Sequence, residues 1–185
     1  NWISPQGGSI KAALALGDFS GKAGQTLMLP GTGSADRLLL IGCGEAKKFD
    51  RPAAIKFSQS IYSALNGTGA RDLMLHLPEL KLKDADSAWL LGYLARHLVA
   101  SAYRYTETVS KPKSPLKLNR VVVNTGDSMP AATAKTALEQ GKCIGLGINQ
   151  ARHLANLPGN ICTPTYLAQQ ARKLARGSAK VSVSV

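Results

Sequence analysis

The stretch Ala151 to Ala175, ARHLANLPGNICTPTYLAQQARKLA, constrains this chain more than any other, because it ends one helix, makes a rigid turn and starts a second helix. Before the turn, Ile144, Ile148, Ala151 and Ala155 recur at the spacing of one helical face, and Gly141 and Gly145 lie close to that stripe where another backbone can approach. Leu157-Pro158-Gly159-Asn160 stops the first helix. Proline withholds a ladder donor and pushes its predecessor out of the helical region. The second helix starts at Thr163, a good N-cap, with Pro164 at the first helical position. Leu167, Ala171, Leu174 and Ala175 then form a stripe expected to be buried.

Strands alternate with helices over the preceding residues. Ser9 to Leu16 reads as a short helix, Gln25 to Pro30 as a strand, and Arg37 to Ile41 as a strand whose unbroken apolar run suits burial on both faces. Asp50 and Pro52 open a helix carrying Ile55, Ser58, Ile61, Tyr62 and Leu65, closed by Asn66-Gly67-Thr68-Gly69. Ala70 to Leu77 is a third strand. A helix then starts near Asp84 or Asp86, with Leu90, Leu94, Leu98 and Ala102 at four-residue intervals. Tyr103 to Arg120 holds two prolines and several cations with little periodicity, and is expected to be a loop. Val121 to Val123 makes a fourth strand, Pro130 to Asn156 a long helical region weakened by glycines, and the terminal VSVSV a strand start. This alternation implies an α/β sandwich with a mainly parallel or mixed sheet covered on both faces.

With 185 residues the chain is long enough for one full domain and a short further element. Its 44% hydrophobic and 18% charged composition is that of a globular protein, and no apolar run approaches the ~20 residues of a membrane helix. The opening NWISPQGGSIK shows no secretory signal, and three cysteines without metal-type spacing favour a reducing cytosol. The formal charge of +12 is concentrated late, since no Asp or Glu follows Glu139 while Lys142, Arg152, Arg172, Lys173, Arg176 and Lys180 do. Those cations face either an anionic partner or carboxylates on a further part of the protein.

Motifs that carry chemistry are scarce. Ile41-Gly42-Cys43-Gly44-Glu45-Ala46 ends a strand at two glycines, but Lys47 or Lys48 stands where a dinucleotide loop needs its third. A tight turn is the better account. No phosphate-binding GxxxxGK[ST] loop and no GxSxG elbow is present. His76, His97 and His153 lack a second ligand at helical or hairpin spacing, Cys43 and Cys162 suit buried inert thiols, and Asp84 and Asp86 suit helix caps.

The turn Asn156-Leu157-Pro158-Gly159-Asn160 followed by Thr163-Pro164 closely resembles the connecting segment of the M17 leucyl aminopeptidases. Gly17-Asp18-Phe19-Ser20-Gly21-Lys22-Ala23-Gly24-Gln25-Thr26 resembles that family's turn into an early strand. Asp36-Arg37-Leu38-Leu39-Leu40-Ile41-Gly42-Cys43-Gly44, with Phe49-Asp50 after it, resembles the strand and loop that come next. The resemblance implies a three-layer α/β/α, macro-domain-like sandwich over residues 1–150, a helical interdomain linker over 151–176, and in 177–185 the first strand of a C-terminal catalytic domain. It also implies a cytoplasmic enzyme that removes N-terminal residues from peptides using two divalent ions, Mn or Zn, and that assembles as a hexamer. The family's ligands are Asp, Glu and Lys of the C-terminal domain, whose motifs do not occur in these residues, so no catalytic or metal residue is assigned here. This unit is then expected to organise the oligomer and shape access to active sites. Some bacterial members also bind DNA. For that alternative, Lys111, Lys113, Lys117 and Arg120 are the candidate phosphate contacts, against the plainer account of a solvated basic loop.

Overall fold

The computed structural model describes residues 7–31, 35–77, 81–112, 114, 116–127, 129–177 and 179–184. Among the described residues, five α-helices and four strands follow one another as α1 (Gly7–Ala15), β1 (Thr26–Pro30), β2 (Arg37–Ile41), α2 (Arg51–Leu65), β3 (Asp72–His76), α3 (Ser87–Ser101), β4 (Arg120–Asn124), α4 (Ala131–Asn156) and α5 (Pro164–Arg176). The α/β alternation expected from the sequence is present. Its strands pair as two ladders: β1 with β2 antiparallel from Thr26↔Ile41 to Pro30↔Arg37, and β3 with β4 parallel from Asp72↔Arg120 to His76↔Asn124.

Helix starts are fixed by short polar side chains. The Asp50 carboxylate accepts from Ala53 N at 3.0 Å and so caps α2, whose second residue is Pro52. Asp84 Oδ1 accepts the Arg51 N–H at 2.9 Å, satisfying another free donor of that first turn. Asp86 caps α3 through Trp89 N at 2.7 Å, and Thr163 caps α5 through Tyr166 N at 3.2 Å.

One face of α2 and one of α3 build the core. Phe49, Ala54, Phe57, Ile61 and Leu65 meet Leu75 and Leu77 of the β3 region and Leu90, Leu91, Leu94 and Leu98 of α3. Phe49 and Phe57 meet edge to face with centroids 6.3 Å apart. The strands are covered less than their sequences imply. Leu38 to Ile41 are only half-buried, and Met74 and Val122, a register pair, are 47% and 42% exposed.

α3 and α4 make the most extensive helix packing in the molecule, and glycines make it possible. A Cβ on Gly141 would lie 2.0 Å from the Gly92 carbonyl oxygen, and one on Gly145 would lie 2.8 Å from Val99 Cβ. The backbones touch there. Ala137, Gly141 and Gly145 are therefore the buried residues of α4, whereas Ile144, the leading residue of the expected apolar stripe, is 53% exposed. Two further expectations differ from what is seen. No residue of α5 is buried, Leu174 being 70% exposed, because no other helix or strand among the described residues packs extensively on it. Val181 to Ser184 lie outside any strand, and no strand among the described residues pairs with them.

Candidate functional site

Three places hold side chains with chemical potential: the α3–α4 groove, the glycine loop after β2, and the cluster at the C-terminal end of α3. The groove encloses about 360 Å³ and runs over Gly92 and Gly141, between Trp89, Tyr93 and Arg96 of α3 and Gln140 and Ile144 of α4. Helical four-residue spacing places Trp89, Tyr93 and His97 in a column. Trp89 stacks on Tyr93 at 5.3 Å and 23°, and Tyr93 on His97 at 6.1 Å and 8°. Arg51 lies 5.2 Å from the Trp89 centroid, and Arg96 lies 4.4 Å from that of Tyr93. The ring faces are thus already occupied by cations and by each other. His97 also contacts Ser101 Oγ through Nε2 at 3.3 Å and meets Tyr62 edge to face. Burial, with a lesser push from the Arg96 guanidinium, holds its imidazole below the ordinary value of 6.5. The column rigidifies α3; the one hydroxyl–imidazole pair within it, Ser101 Oγ and His97 Nε2, joins residues one helical turn apart.

The glycine loop is a tight turn. Gly42 N donates to Gln25 O at 2.7 Å, and Gly44 N donates to Gly21 O at 2.9 Å. A Cβ on Gly42 would lie 2.0 Å from Lys22 O, and Gly44 has φ +74°. These amides are engaged with backbone carbonyls and cannot cradle a phosphate, which is the physical reason the dinucleotide reading fails. Cys43 Sγ lies 3.9 Å from Ile41 O, and burial pushes its thiol above the ordinary 9.0, away from the thiolate a nucleophile requires.

At the end of α3 the last carbonyls, which a helix leaves without partners, are met by side chains of other segments. Asn149 Nδ2 donates to Val99 O at 2.9 Å, Arg152 to Ala100 O at 2.7 Å, and Arg104 to Ser101 O at 3.0 Å and Tyr103 O at 2.8 Å. Arg104 also donates to the Tyr62 hydroxyl at 2.6 Å. Two guanidinium groups sit where the helix dipole is negative. Sequence reasoning missed the Asn149 and Arg152 parts of this cap, since they are separated from their partners by about 50 positions along the chain. The only sequence signal was a cluster of polar residues on a helix face next to a Pro-Gly turn.

Of the candidate phosphate contacts, Lys111 and Lys117 are exposed, while Lys113 lies outside the described residues. Arg120 begins β4, where its Nε lies 3.3 Å from Asp72 Oδ1, so a phosphate there would compete with a carboxylate. Metal donors are not gathered. Asp50, Asp84 and Asp86 serve helix starts, and Asp72, Glu45 and Glu139 pair with Arg120, Lys48 and Lys142. Among the described residues no three His, Cys, Asp or Glu side chains converge on a point that could hold a cation. The donor set of the described residues does not fit a two-ion centre. No helix among the described residues is long and apolar enough to cross a membrane.

Residues 4–112 match the model of the cytosol aminopeptidase family, N-terminal domain. The chain is 37% identical over 180 residues to a probable cytosol aminopeptidase of Alkalilimnicola ehrlichii, spanning 96% of this chain and 36% of that protein. It is 39% identical over 172 residues to one of Nitrosomonas europaea, spanning 91% of this chain and 35% of that protein. The fold is shared with a tomato leucine aminopeptidase mutant, at a TM-score of 0.73 and 23% identity over 95% of this chain and 34% of the other. The bottromycin maturation enzyme BotP in complex with Mn aligns at a TM-score of 0.66 and 25% identity, over 89% of this chain and 33% of that one. The chain thus spans about a third of the length of the curated relatives it matches.

Proposed function

Because the chain belongs to the cytosol aminopeptidase family through its N-terminal domain, we propose that it forms the N-terminal unit and connecting helices of a cytosolic, metal-dependent leucyl aminopeptidase whose peptide-hydrolysing centre lies in a C-terminal domain. The observation that carries this is coverage. Nearly the whole of this chain aligns with only 36% of its relative, which leaves room there for a second domain. The dispersed acids in the described residues support assigning the two divalent ions, Mn or Zn, to that domain. In this reading the α/β unit organises the oligomer and shapes access to the active sites. The segment from residue 151 to 176 acts as the linker between the units.

The test compares two proteins side by side: this 185-residue chain and the complete gene product, assayed on a leucine amide substrate with added manganese. Hydrolysis by the complete product alone is the expected result. Hydrolysis by the short chain, or none by the complete product, would overturn the proposal. Light scattering on both proteins reads the oligomer role, which requires a larger assembly for the complete product.

A further inference from the structure

We propose that the α3–α4 groove is a docking site for a short extended peptide with free ends, its ammonium at Asp86 and its carboxylate at Arg96. The groove holds about 360 Å³, in the lower part of the range of small-ligand sites. Its floor is bare backbone where Gly92 and Gly141 meet, so a chain lying in it reaches deeper than between ordinary helices. Charges of opposite sign stand at its two ends. Asp86 precedes the first residue of α3 and Arg96 lies ten positions further on, about 15 Å of helix rise. The Arg96 guanidinium reaches back over Tyr93, 4.4 Å from its centroid, which brings the two charges to about 10–12 Å along the axis. An extended chain of about three or four residues spans that distance.

Both ends are open to a ligand. Asp86 uses Oδ1 to cap Trp89 N at 2.7 Å and, like Arg96, enters no ion pair among the described residues. An ionised carboxylate has about four acceptor positions, so the cap leaves Oδ2 for an ammonium. A guanidinium stacked on a ring keeps its N–H edge, the fork that takes a carboxylate with two parallel bonds. Arg51, the cation on Trp89, is not part of the groove lining. Between the ends the groove suits an amide backbone with apolar side chains. Gln140, next to the Gly92–Gly141 contact, brings both a donor and an acceptor. Trp89 and Tyr93 have their faces engaged by each other and by the arginines, which leaves the positive ring edges for carbonyl oxygens. Ile144, 53% exposed, gives the opposite wall an apolar contact. A fatty acid would leave Asp86 against an apolar tail, and an acidic peptide would be repelled there. Such docking needs no catalytic centre in the chain, so it stands or falls independently of the function proposed above.

Nuclear magnetic resonance tests this, by titrating the isotope-labelled 185-residue chain with the tetrapeptide Ala-Leu-Leu-Ala and following the amide signals of residues 86–96 and 137–144. Saturable shifts centred on those residues are expected, with a Kd of about 1 mM. Amidating the peptide's carboxyl end should weaken binding about fivefold in the native chain, and make no difference in Arg96→Gln. Acetylating its amino end should likewise weaken binding to the native chain, and make no difference in Asp86→Asn, a change that keeps a good helix cap. The blocked peptides alter the ligand and not the protein, so they read the two charges without disturbing the fold. Absence of shifts with the free peptide overturns the proposal. So does equal binding of the free and the doubly blocked peptide, or of octanoate in their place.

Discussion

Gly141→Ala is the substitution with the most to say about how α3 and α4 are joined. The added Cβ would sit 2.0 Å from the Gly92 carbonyl oxygen and 2.9 Å from Gly92 Cα. An ordinary C···O approach is about 3.3 Å, so the helices must separate by about 1.3 Å. Both groups belong to helix backbone, and neither can swing aside as a side chain would. The cost therefore belongs near the top of the overpacking range, about 3 kcal/mol. Replacing glycine in a helix gives back about 1 kcal/mol of propensity. The net expectation is a loss of about 2 kcal/mol, or a fall in Tm of about 4–8 °C for a chain of this size. Gly147→Ala provides the comparison, because that position is exposed on the same helix with nothing within 4 Å of its Cβ. It should gain about 1 kcal/mol from propensity alone. Thermal unfolding followed by circular dichroism reads both. A Tm that rises for Gly141→Ala as it does for Gly147→Ala would refute the backbone contact.

Other expectations are smaller. Asp50→Ala removes the α2 cap and should cost about 1 kcal/mol in urea denaturation. Arg104→Leu takes donors from Ser101 O, Tyr103 O and the Tyr62 hydroxyl and should cost about 1.5–3 kcal/mol, with Tyr62→Phe costing less. His97 has a folded-state pKa depressed below its ordinary 6.5. The unfolded chain takes its proton first, so the stability His97 contributes is full above 6.5 and is lost as pH falls through the folded value. His97→Phe, which keeps a ring in the column, should flatten the decline in urea midpoint between neutral and mildly acid pH. An unaltered slope would exclude this histidine.

Local signals explain why so many elements were visible beforehand. Asp50 with Pro52, Asp86, and Thr163 with Pro164 act within three residues, and each cap forms at the position the sequence marks. What depends on distant partners was harder to see. Ile144 sits on the expected face of α4, yet the glycines take the contact, because helix approach is decided by what α3 offers at Gly92. The Leu38 to Ile41 run announces burial, but burial requires neighbouring elements, and with β1 as the only strand paired to it among the described residues those side chains stay half-covered. The same holds for α5. At the candidate site, spacing separates the glycines of the β2 loop from a dinucleotide motif, whereas the contacts of Asn149 and Arg152 with the last carbonyls of α3 rest on pairings no short-range pattern contains.

The interlocked glycines of α3 and α4 also bear on how position is handed along the chain. α4 has 26 residues, about 39 Å of rise if straight, and its middle is notched into a neighbour at Gly141 and Gly145. Notches of that kind limit sliding, since moving by one turn in one direction would bring Ala137, with its Cβ, onto the Gly92 carbonyl. The long helix therefore works as a clamped boom. In the two-unit protein proposed above, loosening that grip would free the start of the connecting segment without touching any residue beyond it.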